Sequence, residues 1–167
     1  MTMRSEKQLR RRIKFWIALF VVGLILSGVT AFPIETQLSI AANHMSWLPT
    51  FIHEWIVDVH KGVKEINSSY PFLSYGTDWL AFAHIVIAVA FIGPYRNPIK
   101  NIWVIQFGMI ACVMVIPLAL IAGHIREIPF YWRMIDCSFG ILGIIPLYIC
   151  YKNIKTLEKI EPYNSQT

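Results

Sequence analysis

Four apolar segments, each long enough to cross a lipid bilayer, constrain this 167-residue chain more than any other feature. They lie at residues 15–32, 72–93, 102–123 and 130–151. At 1.5 Å per residue, a helix of about 22 residues extends roughly 33 Å, which exceeds the roughly 30 Å thickness of a hydrocarbon core. The sequence therefore predicts an all-α integral membrane protein, a four-transmembrane-helix bundle that forms a single domain.

The distribution of positive charge predicts the orientation of this bundle. Eleven of the fifteen Lys and Arg residues precede the first segment, follow the fourth, or lie in the loop at residues 94–101. Four crossings place these three regions on one side, and Lys and Arg concentrate on the cytoplasmic side of membranes. We expect an inner or plasma membrane with both tails cytoplasmic: residues 1–14, helical only in part, and residues 152–167. The net charge of +5 then reflects topology and anionic lipid, with no nucleic acid as partner.

The long loop at residues 34–69 carries its own helical pattern. Apolar residues recur at helical spacing from Phe51 to Ile66, and charged residues occupy the opposite side. This pattern predicts an extracytoplasmic amphipathic helix between the first two crossings, capped at Thr50, which either lies on the outer membrane surface or covers the bundle as a lid. Pro71 suits the first position of the next helix.

Small residues within the spans predict where neighbouring helices approach closely, because they let two backbones come together. They are Gly23, Ser27 and Gly28 in the first span, Ala81 and Ala88 in the second, and Gly140 and Gly143 in the fourth. We expect these faces to point into the bundle.

Ionisable residues are distributed unevenly, since all five histidines and seven of the ten acids fall in the predicted outer half. This asymmetry predicts an outward-facing polar site. Asp78, His84 and Asp136 lie within the spans, where an ionisable group is costly unless it faces protein or water. They are the candidate catalytic residues, with structural pairing inside the bundle as the alternative reading.

The predicted site is an outer cavity among the second, third and fourth spans. Its ligand-binding residues are Asp78, Trp79, Phe82, His84, His124, Tyr131, Trp132, Arg133 and Asp136. We expect Asp78 to pair with Arg133, and Asp136 with His84 or His124. Aromatic rings around a few polar groups are typical of a site for a small lipophilic molecule, such as a lipid, isoprenoid, quinone or sterol-like compound. Such a site would bind this molecule or transform it by proton transfer.

The plan of four crossings with one long outer loop resembles that of the EXPERA group, which includes sterol isomerases and the sigma-2 receptor. The resemblance covers topology alone and carries no residues over. The alternative function is a non-catalytic accessory subunit of a larger membrane complex, in which polar groups pair internally and leave no cavity. A membrane-protein partner or a second copy of the chain is compatible with either function.

No cofactor is predicted. A haem or metal ion held by His84 and His124 is the weaker alternative, because it needs both rings at one depth. The three cysteines, at positions 112, 137 and 150, form no C-x-x-C pair. We interpret them as buried small hydrophobic residues.

Overall fold

The computed structural model describes residues 3–160, with side chains from residue 6 onward, and this part of the chain is helical without strands. Its helices are α1 (Met3–Ala31), α2 (Ile34–His44), α3 (Thr50–Ser69), α4 (Pro71–Ala90), α5 (Ile92–Arg96), α6 (Ile102–Ile125) and α7 (Phe130–Ile160). Four stretches are long and apolar enough to cross a membrane, in α1, in α4 with α5, in α6 and in α7. The prediction of an all-helical protein with four such helices is confirmed.

Two helices extend further than their apolar segments. Helix α1 begins at Met3, so the basic tail, which we expected to be helical only in part, is helical wherever it is described. Arg10 and Glu6 form an ion pair at 3.0 Å one turn apart, and Lys, Leu, Gln and Arg favour helix. Helix α7 continues to Ile160. Residues 1–2 and 161–167 of the two predicted tails lie outside the described residues.

The loop between the first two spans contains two helices, whereas the sequence predicted one. Helix α3 matches the prediction, but Thr50 is its first helical residue and no side chain caps it, so the predicted cap is wrong. The sequence did not indicate helix α2, because its eleven residues do not form a clear apolar stripe. It packs on α3, where Ile56 is buried and the His53 ring nitrogen Nε2 lies 2.9 Å from the carbonyl oxygen of Ala42.

The described chain divides into two compact units. The terminal unit comprises residues 3–23 and 88–160, and the central unit comprises Leu24–Ile87. Helices α1 and α4 each contribute to both. We describe each unit by itself.

Helices α6 and α7 form the core of the terminal unit as an antiparallel hairpin. A Cβ added at Gly140 would lie 2.4 Å from the carbonyl oxygen of Cys112, so the two backbones meet there. The predicted close approach at Gly140 is thus confirmed, whereas nothing lies within 4 Å of a Cβ at Gly23. The three cysteines are buried and free, as expected. The Sγ atom of Cys150 lies 3.6 Å from the carbonyl oxygen of Ile13, and this contact links α7 to α1.

A second close approach organises the central unit. A Cβ added at Gly28 of α1 would lie 2.7 Å from the carbonyl oxygen of Ala81 of α4. Ala81 is completely buried. The small-residue faces predicted on the first two spans therefore meet here, and this contact sets the position of α4 beside the end of α1.

Candidate functional site

The central unit contains a cavity of about 340 Å³ where the end of α1, α2, α3 and the start of α4 come together. Its apolar wall is formed by Phe32, Pro33, Ile34, Val63, Ile66 and Leu73. Its polar lining is formed by Glu35, Thr36, Asn67, Ser74, Thr77 and Asp78. Among the described residues that line it, two are acidic and none is basic, so the cavity carries negative charge beside an apolar wall.

A chain of hydrogen bonds runs along the polar lining and joins three helices. Ser74 Oγ of α4 donates to Asn67 Oδ1 of α3. Asn67 Nδ2 in turn donates to Glu35 Oε2 of α2 at 2.5 Å. The amide of Asn67 therefore fixes the orientation of the Glu35 carboxylate, and it leaves that group with unused acceptor capacity.

Asp78 is the second carboxylate of the cavity. It lies on α4 one turn after Ser74, so both side chains are on one face of the helix. Within the described residues of the central unit, Asp78 is half-buried and has no hydrogen bond or ion pair. Because Asp78 is only half-buried, water can reach its carboxylate, and a ligand with a donor group could replace that water.

The other predicted site residues of α4 lie outside this lining. Trp79 and Phe82 are more than half exposed and stack edge to face, with ring centroids 6.2 Å apart. The Nδ1 atom of His84 lies 2.8 Å from the carbonyl oxygen of Leu80, one turn earlier in the same helix. The roles of these three residues in ligand binding stay predictions.

Arg133 is the most constrained of the predicted residues in the terminal unit. A Cβ added at Gly123 would lie 2.6 Å from Arg133 Cδ, so the aliphatic part of the side chain covers that glycine. The guanidinium carbon Cζ lies 5.4 Å from the centroid of the Phe130 ring. Arg133 Nε is buried and has no hydrogen-bond partner among the described residues of this unit.

The remaining predicted residues of the terminal unit are less enclosed. Tyr131, Trp132 and Asp136 are half-buried, and His124 is exposed in the last turn of α6. In the described part of this unit, neither a hydrogen bond nor an ion pair joins Asp136 to His124.

The predicted site residues are divided between the two units. Asp78, Trp79, Phe82 and His84 belong to the central unit, and the other five belong to the terminal unit. The pairings of Asp78 with Arg133 and of Asp136 with His84 therefore stay predictions, as does a haem held by two histidines. Among residues 3–160, no group of three His, Cys, Asp or Glu side chains could hold a metal ion.

Of the polar residues that line this cavity, the sequence indicated Asp78 but not Glu35, Asn67 or Ser74. Glu35 is separated from Asp78 by 43 positions and lies in a helix that the sequence did not reveal. Asn67 carries a weak signal, because asparagine is a poor helix former and stands in the last turn of α3. An acid three residues after a span, followed by a polar residue at the end of the next helix, is the pattern that could have indicated the network.

Comparisons with known proteins do not add to this description. No family model, no curated protein and no solved structure matches the chain. The function of this chain must therefore be inferred from the geometry of the site, since a helical membrane fold alone supports many activities.

Proposed function

We propose that this chain is a membrane receptor or carrier for a small lipophilic molecule with a positively charged or hydrogen-bond-donating head group. The observation that carries the proposal is the cavity of the central unit, in which Glu35 and Asp78 stand beside an apolar wall. About 340 Å³ lies within the usual range for sites that hold small molecules. An apolar body would contact Phe32, Ile66 and Leu73.

The charge of the lining narrows the class of ligand. Two acids and no base among the described lining residues favour a protonated amine over a carboxylate or phosphate. Glu35 is held in place by Asn67, so it presents its free lone pairs without a further loss of side-chain entropy. Asp78, which lacks a partner in the central unit, would receive the head group directly.

In this proposal the cavity lies at the outer face of the membrane. The excess of Lys and Arg in the two tails and in the loop at residues 94–101 supports cytoplasmic termini. With that orientation α2 and α3 are extracytoplasmic, and α3 is the amphipathic helix that covers the cavity. Ligand would then enter from the outer leaflet or from the aqueous phase beside it.

The same two carboxylates could support proton transfer to a bound ligand, which is the enzymatic version of this proposal. Asp78 would be its acid or base, and Asn67 would hold Glu35 in position. The accessory-subunit alternative does not predict a cavity with an unpartnered acid. The cavity therefore favours ligand binding over that alternative.

A matched series of single-chain amphiphiles tests the proposal. The purified chain in mild non-ionic detergent is titrated with dodecylamine, dodecanol and dodecanoate, and the thermal unfolding midpoint is measured. We expect a saturable increase with the amine and a much smaller one with the other two compounds. Asp78→Asn should weaken amine binding about tenfold to a hundredfold, because a hydrogen bond to a charged group contributes about 1.5–3 kcal/mol.

Asp58→Asn is the control variant, since Asp58 is an exposed acid of α3 that does not line the cavity. It removes the same charge as Asp78→Asn and should leave amine binding unchanged. Equal stabilisation by dodecanoate and dodecylamine, or an equal loss in the two variants, would contradict the proposed function.

A further inference from the structure

A second cavity, of about 450 Å³, lies in the terminal unit between α1 and α5. It is shallow, and basic side chains dominate its lining. Lys7, Arg11 and Lys14 lie at positions i, i+4 and i+7 of α1, so they form one stripe on a single face of the helix. Arg10 also contributes, although its guanidinium Nε is paired with Glu6 at 3.0 Å. No acid is among the described residues of the lining.

Aromatic and small apolar side chains complete this cavity. Phe15 and Ala18 continue the same face of α1, and Tyr95 stands opposite on α5. The Lys14 ammonium nitrogen Nζ lies 5.4 Å from the centroid of the Tyr95 ring, which is within cation–π range. The stripe therefore changes from cationic to apolar between Lys14 and Phe15, where the apolar segment of α1 begins.

This change from charge to apolar surface along one groove matches the structure of a phospholipid. Phosphate oxygens accept hydrogen bonds from ammonium and guanidinium groups, and an acyl chain packs on apolar side chains. A soluble anion would use the cations but would leave the surface of Phe15 and Ala18 unused. Basic pockets beside membrane helices are suited to anionic head groups.

We propose that Lys7, Arg11, Lys14 and Tyr95 form a binding site for the head group of an anionic phospholipid, with its acyl chain lying along Phe15 and Ala18. The site is independent of the cavity that contains Asp78. It gives the basic N-terminal helix a specific ligand as well as a role in orientation.

Native mass spectrometry of the full chain in mild detergent tests this site. Dioleoyl phosphatidylglycerol and dioleoyl phosphatidylcholine have identical chains and differ in net charge, so their adducts report the head-group preference. We expect phosphatidylglycerol to bind at least tenfold more tightly. Each cation near an anionic lipid contributes about fivefold in affinity. The triple variant Lys7→Gln, Arg11→Gln, Lys14→Gln should therefore bind phosphatidylglycerol about a hundredfold more weakly.

The control triple variant removes three exposed cations that do not line the cavity, Arg12→Gln, Lys152→Gln and Lys159→Gln. This control variant should retain the preference for phosphatidylglycerol over phosphatidylcholine. Equal losses in the two triple variants, or equal binding of the two lipids to the unchanged chain, would overturn the proposal. If glycerol 3-phosphate displaced phosphatidylglycerol as effectively as intact lipid does, the proposal would also be overturned, because the site would then recognise a free phosphate group. The wild-type comparison does not depend on the folding of any variant.

Discussion

Gly140 gives the most quantitative test of the packing between α6 and α7. A Cβ at this position would lie 2.4 Å from the backbone carbonyl oxygen of Cys112, whereas ordinary van der Waals contacts begin at 3.4 Å. The Gly140→Ala variant must therefore separate the two helices by about 1 Å, since a backbone oxygen cannot rotate away as a side chain can. Overpacking of this kind costs about 1–3 kcal/mol. We expect a loss of that size in the free energy of unfolding.

Equilibrium unfolding in mixed micelles of mild detergent and sodium dodecyl sulfate, followed by near-ultraviolet circular dichroism, would measure this loss. Two other glycines of the same unit are matched controls. A Cβ at Gly143 would meet only side chains, Cys112 Sγ at 3.0 Å and Phe20 Cε2 at 3.5 Å, and side chains can move, so Gly143→Ala should cost less. A Cβ at Gly23 meets nothing within 4 Å, so Gly23→Ala should be neutral or stabilising by up to about 1 kcal/mol. Equal effects at Gly140 and Gly23 would refute the close approach.

Three further predictions concern sidedness and the central unit. In a Cys-free background, a cysteine at position 61 should be labelled by an impermeant reagent in intact cells, and labelling only after lysis would reverse the proposed orientation. Ile56→Ser should accelerate hydrogen exchange within residues 50–69, because Ile56 is buried whereas Val57 is 38% exposed, and the Val57→Ser control should have little effect. Asn67→Ala should lower the free energy of unfolding by about 1–3 kcal/mol, because it removes the bridge between Ser74 and Glu35. Asn43→Ala is its control, since the Asn43 side chain bonds only within α2, and an equal loss there would contradict a special role for Asn67.

Much of the fold could be predicted because the spans are long and strongly apolar. The third apolar segment begins at Ile102, as α6 does, and the structure extends it only to Ile125. The close approaches at Gly28 and Gly140 could also be predicted, because in lipid only small residues let helices pack tightly. Helix α2 could not be predicted, because it is held by packing on α3 and not by a periodic pattern of its own.

The candidate site was harder to predict than the spans. Asp78 is recognisable because an acid inside an apolar segment has no ordinary explanation. Glu35 and Asn67 have ordinary explanations, since acids and asparagines are common at the ends of membrane helices. They became candidate site residues only because the packing of α2, α3 and α4 brings them to one cavity. Trp79 and Phe82 were predicted to bind ligand because they are aromatic, and neither of them lines the cavity that contains Asp78.

The two acids of the cavity differ in whether another side chain bonds to them. This difference allows an experiment to distinguish a role in ligand binding from a structural role. Glu35 accepts a hydrogen bond from Asn67, whereas Asp78, which is half-buried, has no partner in the described part of the central unit and adds a partly desolvated charge without a compensating interaction. Asp78→Leu should therefore raise the thermal unfolding midpoint of ligand-free protein and remove the additional stabilisation by dodecylamine. Binding sites commonly show this trade between stability and function. If Asp78 served the scaffold instead, the same variant would lower the midpoint in ligand-free detergent, because a stabilising interaction would be lost.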